Sequence, residues 1–375
     1  MHRIALCVAP CREPIWQSSH ESFSTVLGIR VKTMSRKRAT SYDVARLAGV
    51  SQSAVSRVFS PNGSASSKTR KKVLAAADEL GFAPNPIAKS LSLGRSRMAG
   101  LVVTQYTQQN YPIPLKSALD VISKSGDSLL TQIVDASDDG DDAVRQLLLK
   151  RVDFILCAAS LSWNATMECR DANVPLVMIN RRAECPGVDT IGSPNAGIMK
   201  EVAELLYDRG ARAPVFLGGG VRNWVSVERC RGLVEASAQV GLAPPVVLDA
   251  DFNYDGGRAA MRSLAPCIGT FDAVVTASDA MAIGAIDVLR QELALKVPED
   301  VQVVGHDDVE AGRFQAYRLT TVRQDMHTIF SRAIELAFSK ARDFGRKEES
   351  IIVQNKLIER ATTTSPADSS NNRTR

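Results

Sequence analysis

The side chains best suited to specific chemistry in this sequence lie between residues 51 and 57, and they suit hydrogen bonding to DNA bases. Gln52 carries an amide, which can bond N6 and N7 of adenine together. Arg57 carries a guanidinium fork, which can bond O6 and N7 of guanine. Ser53 and Ser56 add short hydroxyls between them. A helix with all four on one outer face would fit the major groove, so this segment predicts a reader of DNA sequence.

Two short helical patterns joined by a tight turn, within residues 40–60, are the elements that would build such a face. Ser41 is predicted to cap the first helix, Gly49 to end it in a left-handed conformation, and Ser51 to cap the second. The residues predicted to pack between the two helices are Val44, Ala45, Ala48, Ala54, Val55 and Val58. This pattern is typical of a helix-turn-helix.

A third helix is predicted from residue 67 to residue 80, with Gly81 as its stop. The positions predicted to form its apolar face are Val73, Leu74, Ala77 and Leu80.

Charge is distributed unevenly along the chain. The whole chain has a net charge of +5, yet residues 34–97 hold 12 Lys and Arg against 3 Asp and Glu. Residues 98–375 hold 30 basic against 36 acidic residues. Because the basic segment coincides with the helix-turn-helix, phosphate contacts explain it better than a merely solvated face does. The sequence therefore predicts a DNA-binding head on a body that binds something else.

The body alternates apolar strand patterns with helical patterns, which predicts parallel sheets covered by helices on both faces. The strand patterns fall into two series, at 100–104, 129–134, 153–158 and 175–180, and at 214–218, 245–249, 273–276 and 301–305. Two series imply two lobes, and open parallel sheets bind ligands beyond the carboxyl ends of their strands. The predicted fold class is α/β: a small all-α helix-turn-helix head followed by two Rossmann-like parallel-sheet lobes.

Other function classes find little support. The seven cysteines are scattered, which fits a reducing cytoplasm, and Cys7, Cys11 and His20 are poorly spaced for metal ligands. No apolar run approaches the ~18 residues of a membrane helix, and residues 4–9 are too short for a signal peptide. No catalytic triad order, phosphate-binding loop or paired-carboxylate motif is evident. We therefore predict no enzyme activity, no cofactor and no metal. The next alternative is a binding protein without a role in gene regulation, similar to a periplasmic receptor.

The motifs closely resemble those of the LacI family of bacterial repressors over about residues 40–360. The head carries Tyr-Asp-Val-Ala-Arg-Leu-Ala-Gly-Val-Ser-x-x-x-Val-Ser-Arg from residue 42, and Leu-Gly-Phe-x-Pro-Asn from residue 80. The body carries Ser-Asp-Ala-Met-Ala-Ile-Gly-Ala from residue 278, Val-Val-Gly-His-Asp-Asp from 303 and Leu-Thr-Thr-Val-Arg-Gln from 319. The resemblance implies a sequence-specific transcription repressor whose operator affinity is controlled by a small sugar-like metabolite bound between the lobes.

The resemblance assigns DNA contacts to eight residues. Gln52 and Ser53 would select bases, and Arg57 would contact a guanine edge or a phosphate. The positions that would hold phosphates are Thr40, Tyr42, Ser51 and Thr69. Leu91, in a segment similar to the family's hinge helix, would insert into the central base step. A packed aromatic for Tyr42 and a plain linker residue for Leu91 remain the alternatives.

The resemblance assigns effector contacts to six residues. Arg229 would clamp the effector, and Asp307 would accept hydrogen bonds from its hydroxyls. The remaining positions that would line the cleft are Asn180, Phe252, Ser278 and Asp279. Ser278 departs from the family pattern, because many relatives have Asn there and serine has a shorter reach. Each of these polar residues has a structural cap or pair as its alternative.

Domain boundaries follow from the same resemblance. Residues 1–33 are predicted to be a disordered or spurious extension, 34–83 the head, 84–97 the hinge helix and linker, 98–360 the effector-binding and dimerisation domain, and 361–375 a disordered tail. The implied partners are a double-stranded DNA operator, a sugar, sugar acid or similar effector, and a second copy of the chain, with no membrane. The resemblance leaves open whether the effector releases the operator or is needed to bind it.

Overall fold

The computed structural model describes residues 39–60, 63–83, 95–105, 112–135, 139–220 and 223–365. The chain divides into two compact units between Asn85 and Pro86. Leu91 and the segment 1–33 lie outside the described residues.

The head contains three helices, and each of its turns is set by capping chemistry. The helices are α1 (Ser41–Ala48), α2 (Gln52–Phe59) and α3 (Ser67–Leu80). The cap of α1 is Thr40 and not Ser41, because the Thr40 and Asp43 side chains bond each other's backbone N–H in a capping box. Ser51 caps α2 as predicted. Gly49 and Gly81 end α1 and α3 with φ of +64° and +60°, a conformation that costs glycine little.

The head core is narrower than the sequence predicts. Val44, Val55, Val58 and Val73 are buried, which confirms the inner faces of α1 and α2. On α3 the prediction is partly wrong: Leu74 and Leu80 are 41% and 36% exposed, and the buried positions are Val73, Ala76 and Ala77. The buried stripe of α3 is therefore formed by one valine and two alanines.

The first lobe of the body is one six-stranded parallel sheet with helices on both faces. Its elements are β1 (Met98–Thr104), α4 (Pro112–Lys124), β2 (Ser128–Val134), α5 (Asp141–Leu149), β3 (Phe154–Cys157), α6 (Trp163–Asp171), β4 (Leu176–Ile179), β5 (Asp189–Gly192), α11 (Met326–Arg342) and β11 (Ser350–Ile352). The strand order is β11-β5-β4-β3-β1-β2. Strands β3 and β4 are buried along their whole length, as expected for a sheet covered on two sides.

The second lobe repeats this plan. Its elements are α7 (Met199–Asp208), β6 (Pro214–Gly218), α8 (Trp224–Val240), β7 (Val246–Asp249), α9 (Tyr254–Ser263), β8 (Ala273–Thr276), α10 (Asp279–Asp287), β9 (Gln302–Asp307), β10 (Thr320–Arg323) and β12 (Lys356–Ile358). The strand order is β12-β10-β9-β8-β6-β7, with only the β10–β12 pair antiparallel in the described ranges. The predicted fold class is confirmed. The eight predicted strand patterns correspond to β1–β4 and β6–β9, of which β2 and β7 are edge strands.

Three crossings join the lobes. The chain passes from β5 to α7, returns from β10 to α11, and passes again from β11 to β12. Side chains at these crossings lie beside the carboxyl ends of the strands, so they can contact residues of both lobes.

The end of the chain differs from its prediction. Residues 361–365 are packed against the second lobe, although the tail was expected to be disordered from Ala361. Thr362 is fully buried, its Oγ1 donates to the Val303 carbonyl at 2.7 Å, and it accepts from the Thr320 N–H at 2.8 Å. A polar Ser/Thr composition signals disorder only where hydroxyls find no buried partners, and here they find backbone groups of two strands.

Candidate functional site

The outer face of α2 carries the predicted base-reading side chains. Gln52, Ser53, Ser56 and Arg57 are all exposed, while the opposite face of the helix is buried in the head core. Ser51 fixes the start of the helix, because its Oγ accepts from the Ala54 N–H at 3.2 Å. Four polar side chains therefore lie next to one another on the solvent-exposed face of α2.

The predicted phosphate contacts lie near helix N-termini, where unpaired backbone N–H groups favour anions. Thr40 and Ser51 are the caps of α1 and α2, and Thr69 lies in the first turn of α3 with its Oγ1 2.9 Å from Ser66 Oγ. Tyr42 is 73% exposed, so the alternative of a packed aromatic is wrong. The phenol of Tyr42 is therefore exposed at the start of α1, and its contact with a phosphate stays a prediction.

A cavity with about 560 Å³ of empty space, open at its mouth, lies between the two lobes. Four of the six predicted effector residues line it: Asn180, Arg229, Phe252 and Asp307. The other lining residues are Thr104, Ala158, Ile179, Arg181, Asn223, Val225, Gln324, Met326 and Phe330.

Arg229 and Asp307 form the polar centre of the cavity. Arg229 projects from α8 and Asp307 ends β9, and both are almost fully buried. Arg229 Nη1 lies 3.8 Å from Asp307 Oδ1, and its Nε donates to Asn195 Oδ1 at 3.0 Å. The second carboxylate oxygen, Asp307 Oδ2, is buried with no hydrogen bond among the described residues. The guanidinium is thus held by Asn195 and by the Ala277 carbonyl, and it lies beside a carboxylate oxygen with spare hydrogen-bonding capacity.

A hydrogen-bonded relay connects this centre to the first lobe. Gln324 Nε2 donates to Asp307 Oδ1 at 2.8 Å, and Gln324 Oε1 accepts from Asn180 Nδ2 at 3.0 Å. Ser193 Oγ also donates to Gln324 Oε1, at 3.0 Å. Asn180 follows β4 with a left-handed φ of 49°, which turns its side chain toward the crossing.

His306 lies directly behind Asp307. Its Nδ1 is 3.1 Å from Asp307 Oδ1, and its ring is fully buried. Burial, assisted by the charge of Arg229, lowers the pKa of His306 to about 4. The imidazole is therefore neutral at physiological pH, with Nδ1 as the donor to the carboxylate.

Ser278 and Asp279 do not line the cavity, and this corrects their assignment. Asp279 is buried at the start of α10, where its carboxylate accepts from Thr321 Oγ1 at 2.6 Å and from the Val309 N–H at 2.8 Å. Burial, together with the nearby charge of Asp307, raises the pKa of Asp279 to about 7. A Cβ at Gly305 would lie 2.1 Å from Asp279 Oδ1, so only glycine fits on β9 beside it. Asp279 thus ties three segments of the second lobe together.

Phe252 supplies the aromatic surface of the cavity. It is buried, and both it and Asp251 adopt left-handed φ angles, near 54° and 48°. Such angles cost non-glycine residues about 1–3 kcal/mol each and persist where surrounding contacts hold them.

Three lining residues with amide or guanidinium groups were not predicted from the sequence: Gln324, Arg181 and Asn223. Gln324 belonged to a motif already noted, but its side chain was given no role. Arg181 follows Asn180 directly after β4, and position at a strand end was the available signal for Gln324 and Arg181. In the described part of the chain there is no cluster of three or more metal-ligating side chains and no helix long and apolar enough to cross a membrane.

Comparisons with known proteins agree with this geometry. Residues 40–85 match the family described as bacterial regulatory proteins, lacI family, and residues 203–363 match the periplasmic binding protein-like domain. The ribose operon repressor of Escherichia coli (strain K12) is 32% identical over 308 residues, covering 80% of this chain and 92% of that protein. The repressor PurR of Vibrio campbellii (strain ATCC BAA-1116) is 30% identical over 331 residues, covering 86% and 98%.

Solved structures give the same result. The lac repressor dimer bound to operator and the anti-inducer ONPF superposes with a TM-score of 0.77 at 25% identity, covering 88% of this chain and all of that one. The transcriptional regulator CelR in complex with cellobiose superposes with a TM-score of 0.65 at 28% identity, covering 87% of this chain and all of that one. The chain therefore belongs to the LacI family of bacterial regulatory proteins.

Proposed function

We propose that this protein is a repressor that binds a near-palindromic DNA operator as a homodimer and changes its operator affinity when a small sugar-like metabolite occupies the cavity between its lobes. The observation that carries the proposal is the exposed polar face of α2, which sets Gln52, Ser53 and Arg57 side by side on a helix anchored by its apolar face. Two such helices, related by a two-fold axis, would read two half-sites.

The relatives support each half of this proposal. Two of them are named repressors, and one solved structure is a repressor dimer on its operator. The CelR structure contains cellobiose, a carbohydrate. The proposed effector class for this chain agrees with its own cavity, because Arg229 and Asp307 can bond hydroxyls while Phe252 offers an apolar face for a sugar ring.

The proposed mechanism is a shift between two arrangements of the lobes. A ligand bonded to Asp307 and Arg229 competes with, or reinforces, the relay through Gln324 to Asn180 and Ser193 in the first lobe. A change in lobe angle would then alter the spacing of the two heads in the dimer. We place the protein in the cytoplasm and assign it no catalytic activity.

The test begins with selection from a pool of duplexes with a random core of about 24 base pairs, using the full chain. We expect enrichment of a near-palindrome with two half-sites, and a complex of two chains per duplex by mass photometry. Gln52→Ala should relax selection at one symmetric pair of bases, while Arg46→Ala, an exposed change on α1, should leave the selected sequence unchanged. Enrichment of no sequence by the wild-type protein would refute the proposal.

A further inference from the structure

We propose that the effector is a small polyhydroxylated anion, a sugar acid or sugar phosphate, and that the Arg181 guanidinium binds its anionic group. This inference rests on the proposed effector role of the interlobe cavity and narrows the class of molecule that fills it.

The charges that line the cavity do not balance. The ionised side chains among its lining residues are Arg181, Arg229 and Asp307. Arg229 and Asp307 face each other at 3.8 Å and offset one another. Arg181 has no carboxylate within ion-pair distance among the described residues, and its Nη1 donates to the carbonyl of its neighbour Asn180 at 2.8 Å. The remaining polar lining groups are neutral amides and a hydroxyl, so the lining that the structure describes carries one excess positive charge.

Three other half-buried arginines of the body are paired with carboxylates, whereas a fourth, Arg290, donates to the carbonyls of Ala316 and Val297. Arg209 meets Glu359 at 2.6 Å, Arg346 meets Asp189 at 2.6 Å, and Arg360 meets Asp308 at 2.5 Å. Each of these half-buried guanidiniums is paired with a carboxylate, as is usual for charge removed from water. Arg181 is half-buried in the same way, but it faces a cavity in place of a carboxylate.

The surroundings of Arg181 destabilise its positive charge. Burial, together with the positive charge of Arg229, lowers the pKa of Arg181 to about 10. The guanidinium therefore remains protonated at neutral pH, but its charge is destabilised. A neutral sugar would seal the cavity and leave that charge unpaired. A carboxylate or phosphate could form two parallel charge-assisted hydrogen bonds with the guanidinium fork.

The two cationic side chains of the cavity, Arg181 and Arg229, belong to different lobes. Arg181 extends from the end of β4 in the first lobe, whereas Arg229 and Asp307 belong to the second. An anion that carries hydroxyls could bond Arg181 with its charged end and Asp307 with its hydroxyls, and so bridge the lobes. A ligand of this kind stabilises one lobe arrangement over another, which is what an effector must do.

The experiment compares matched neutral and anionic ligands by isothermal titration calorimetry with the full chain. The pairs are glucose with gluconate, galactose with galacturonate, and ribose with ribose 5-phosphate. We expect at least one anion to bind 10-fold or more tightly than its neutral partner, with an affinity that falls as salt rises. Pairs one and two report on carboxylates and the third on phosphate.

Variants of Arg181 decide whether this side chain is responsible. Arg181→Gln should remove the preference for the anion and leave the affinity for the neutral partner within about 3-fold, while Arg181→Lys should keep part of the preference because lysine retains the charge. Arg182→Gln, an exposed neighbour, should leave the preference intact. Thermal melting and operator binding of each variant verify that it is folded.

Three results would overturn the inference: no anion of the panel that binds more tightly than its neutral partner, a preference that survives Arg181→Gln, or no binding by any anion of the panel. In each case binding to the selected operator would show that the proposed DNA-binding function still stands. Conversely, an Arg181-dependent anion preference in a protein that selected no operator would support this inference and refute the proposed function.

Discussion

Gln324 donates a hydrogen bond to Asp307 across 2.8 Å, and the same amide accepts two hydrogen bonds from the other lobe. Gln324 lies at the crossing between β10 and α11, so it belongs to neither sheet. Gln324 and a ligand that bonds Asp307 share one carboxylate, because Gln324 holds Oδ1 and Oδ2 is buried with no hydrogen bond among the described residues. The geometry makes this glutamine a positioning residue. It connects the Asp307 carboxylate to Asn180 and Ser193, so a change in the hydrogen bonds of Asp307 would shift both.

Gln324→Leu should therefore separate effector binding from the DNA response. Leucine has a similar volume but cannot bridge Asp307 to Asn180. We expect operator affinity without ligand to stay within about 3-fold of wild type, and the fold-change caused by a saturating ligand to fall close to one. Fluorescence anisotropy of a labelled operator, with and without the tightest-binding ligand of the panel, measures both quantities.

The matched control is Gln146→Leu, an exposed glutamine on α5. A Gln324→Leu protein that kept the full response to ligand would show that coupling runs through other contacts.

Arg57→Ala should cost about 1–3 kcal/mol of operator binding, concentrated at one base position of each half-site. The reason is that a guanidinium fork discriminates guanine from other bases, whereas a phosphate contact does not. Binding to a set of single-base operator variants measures this directly. Arg46→Ala is the control, since Arg46 is 82% exposed in its side chain and its ion pair with Asp43 is on the surface of α1. An equal loss of affinity on every operator variant would make Arg57 a phosphate contact.

Local patterns were sufficient to predict the head and both sheets. Periodic apolar positions identified α2, and short apolar runs identified β1–β4 and β6–β9, because both signals depend on nearby residues. The cap of α1 was misplaced by one residue because Thr40 and Ser41 are both good caps, and only the reciprocal bond to Asp43 distinguishes them. Short edge strands such as β11 and β12 were missed because three residues give no measurable period.

The cavity was predictable only in part, for a physical reason. Arg229, Asp307, Asn180 and Phe252 followed from the family pattern, and all four line the cavity. Asp279 was misassigned because sequence does not reveal that Thr321, 42 residues further along the chain, occupies its carboxylate. Arg181 and Gln324 were missed because their importance depends on which charges and amides the fold brings opposite them.

Thr362→Val should destabilise the body by at least about 2 kcal/mol. The change leaves the Val303 carbonyl and the Thr320 N–H without their partner in a fully buried site, and each unpaired group costs about 1–3 kcal/mol. Urea denaturation gives the free energy of unfolding. Thr190→Val removes a hydroxyl pair with Ser350 at the surface and should change stability by less than about 0.5 kcal/mol. Equal small effects of both changes would mean that residues 361–365 contribute no stability.

The buried His306 should make the free energy of unfolding depend on pH. Its folded pKa of about 4 lies below the ordinary value of 6.5, so the unfolded chain takes up the proton first as the pH falls. The stability that neutral His306 contributes is therefore present above pH 6.5 and is lost progressively as the pH falls toward 4. Between pH 7 and pH 5 this loss amounts to about 2 kcal/mol.

Asp279 acts in the opposite direction over the same range, because its raised pKa of about 7 makes its contribution fall as the pH rises from 3.8 to 7. The two contributions partly cancel in the total free energy of unfolding. The difference in that free energy between wild type and His306→Gln isolates the contribution of His306. We expect wild type to lose about 2 kcal/mol more than His306→Gln between pH 7 and pH 5 in urea denaturation. His327→Gln, an exposed change on α11, should follow the wild-type curve. Parallel curves for wild type and His306→Gln would mean that folding does not change the pKa of His306, which would contradict a neutral, buried imidazole at pH 5.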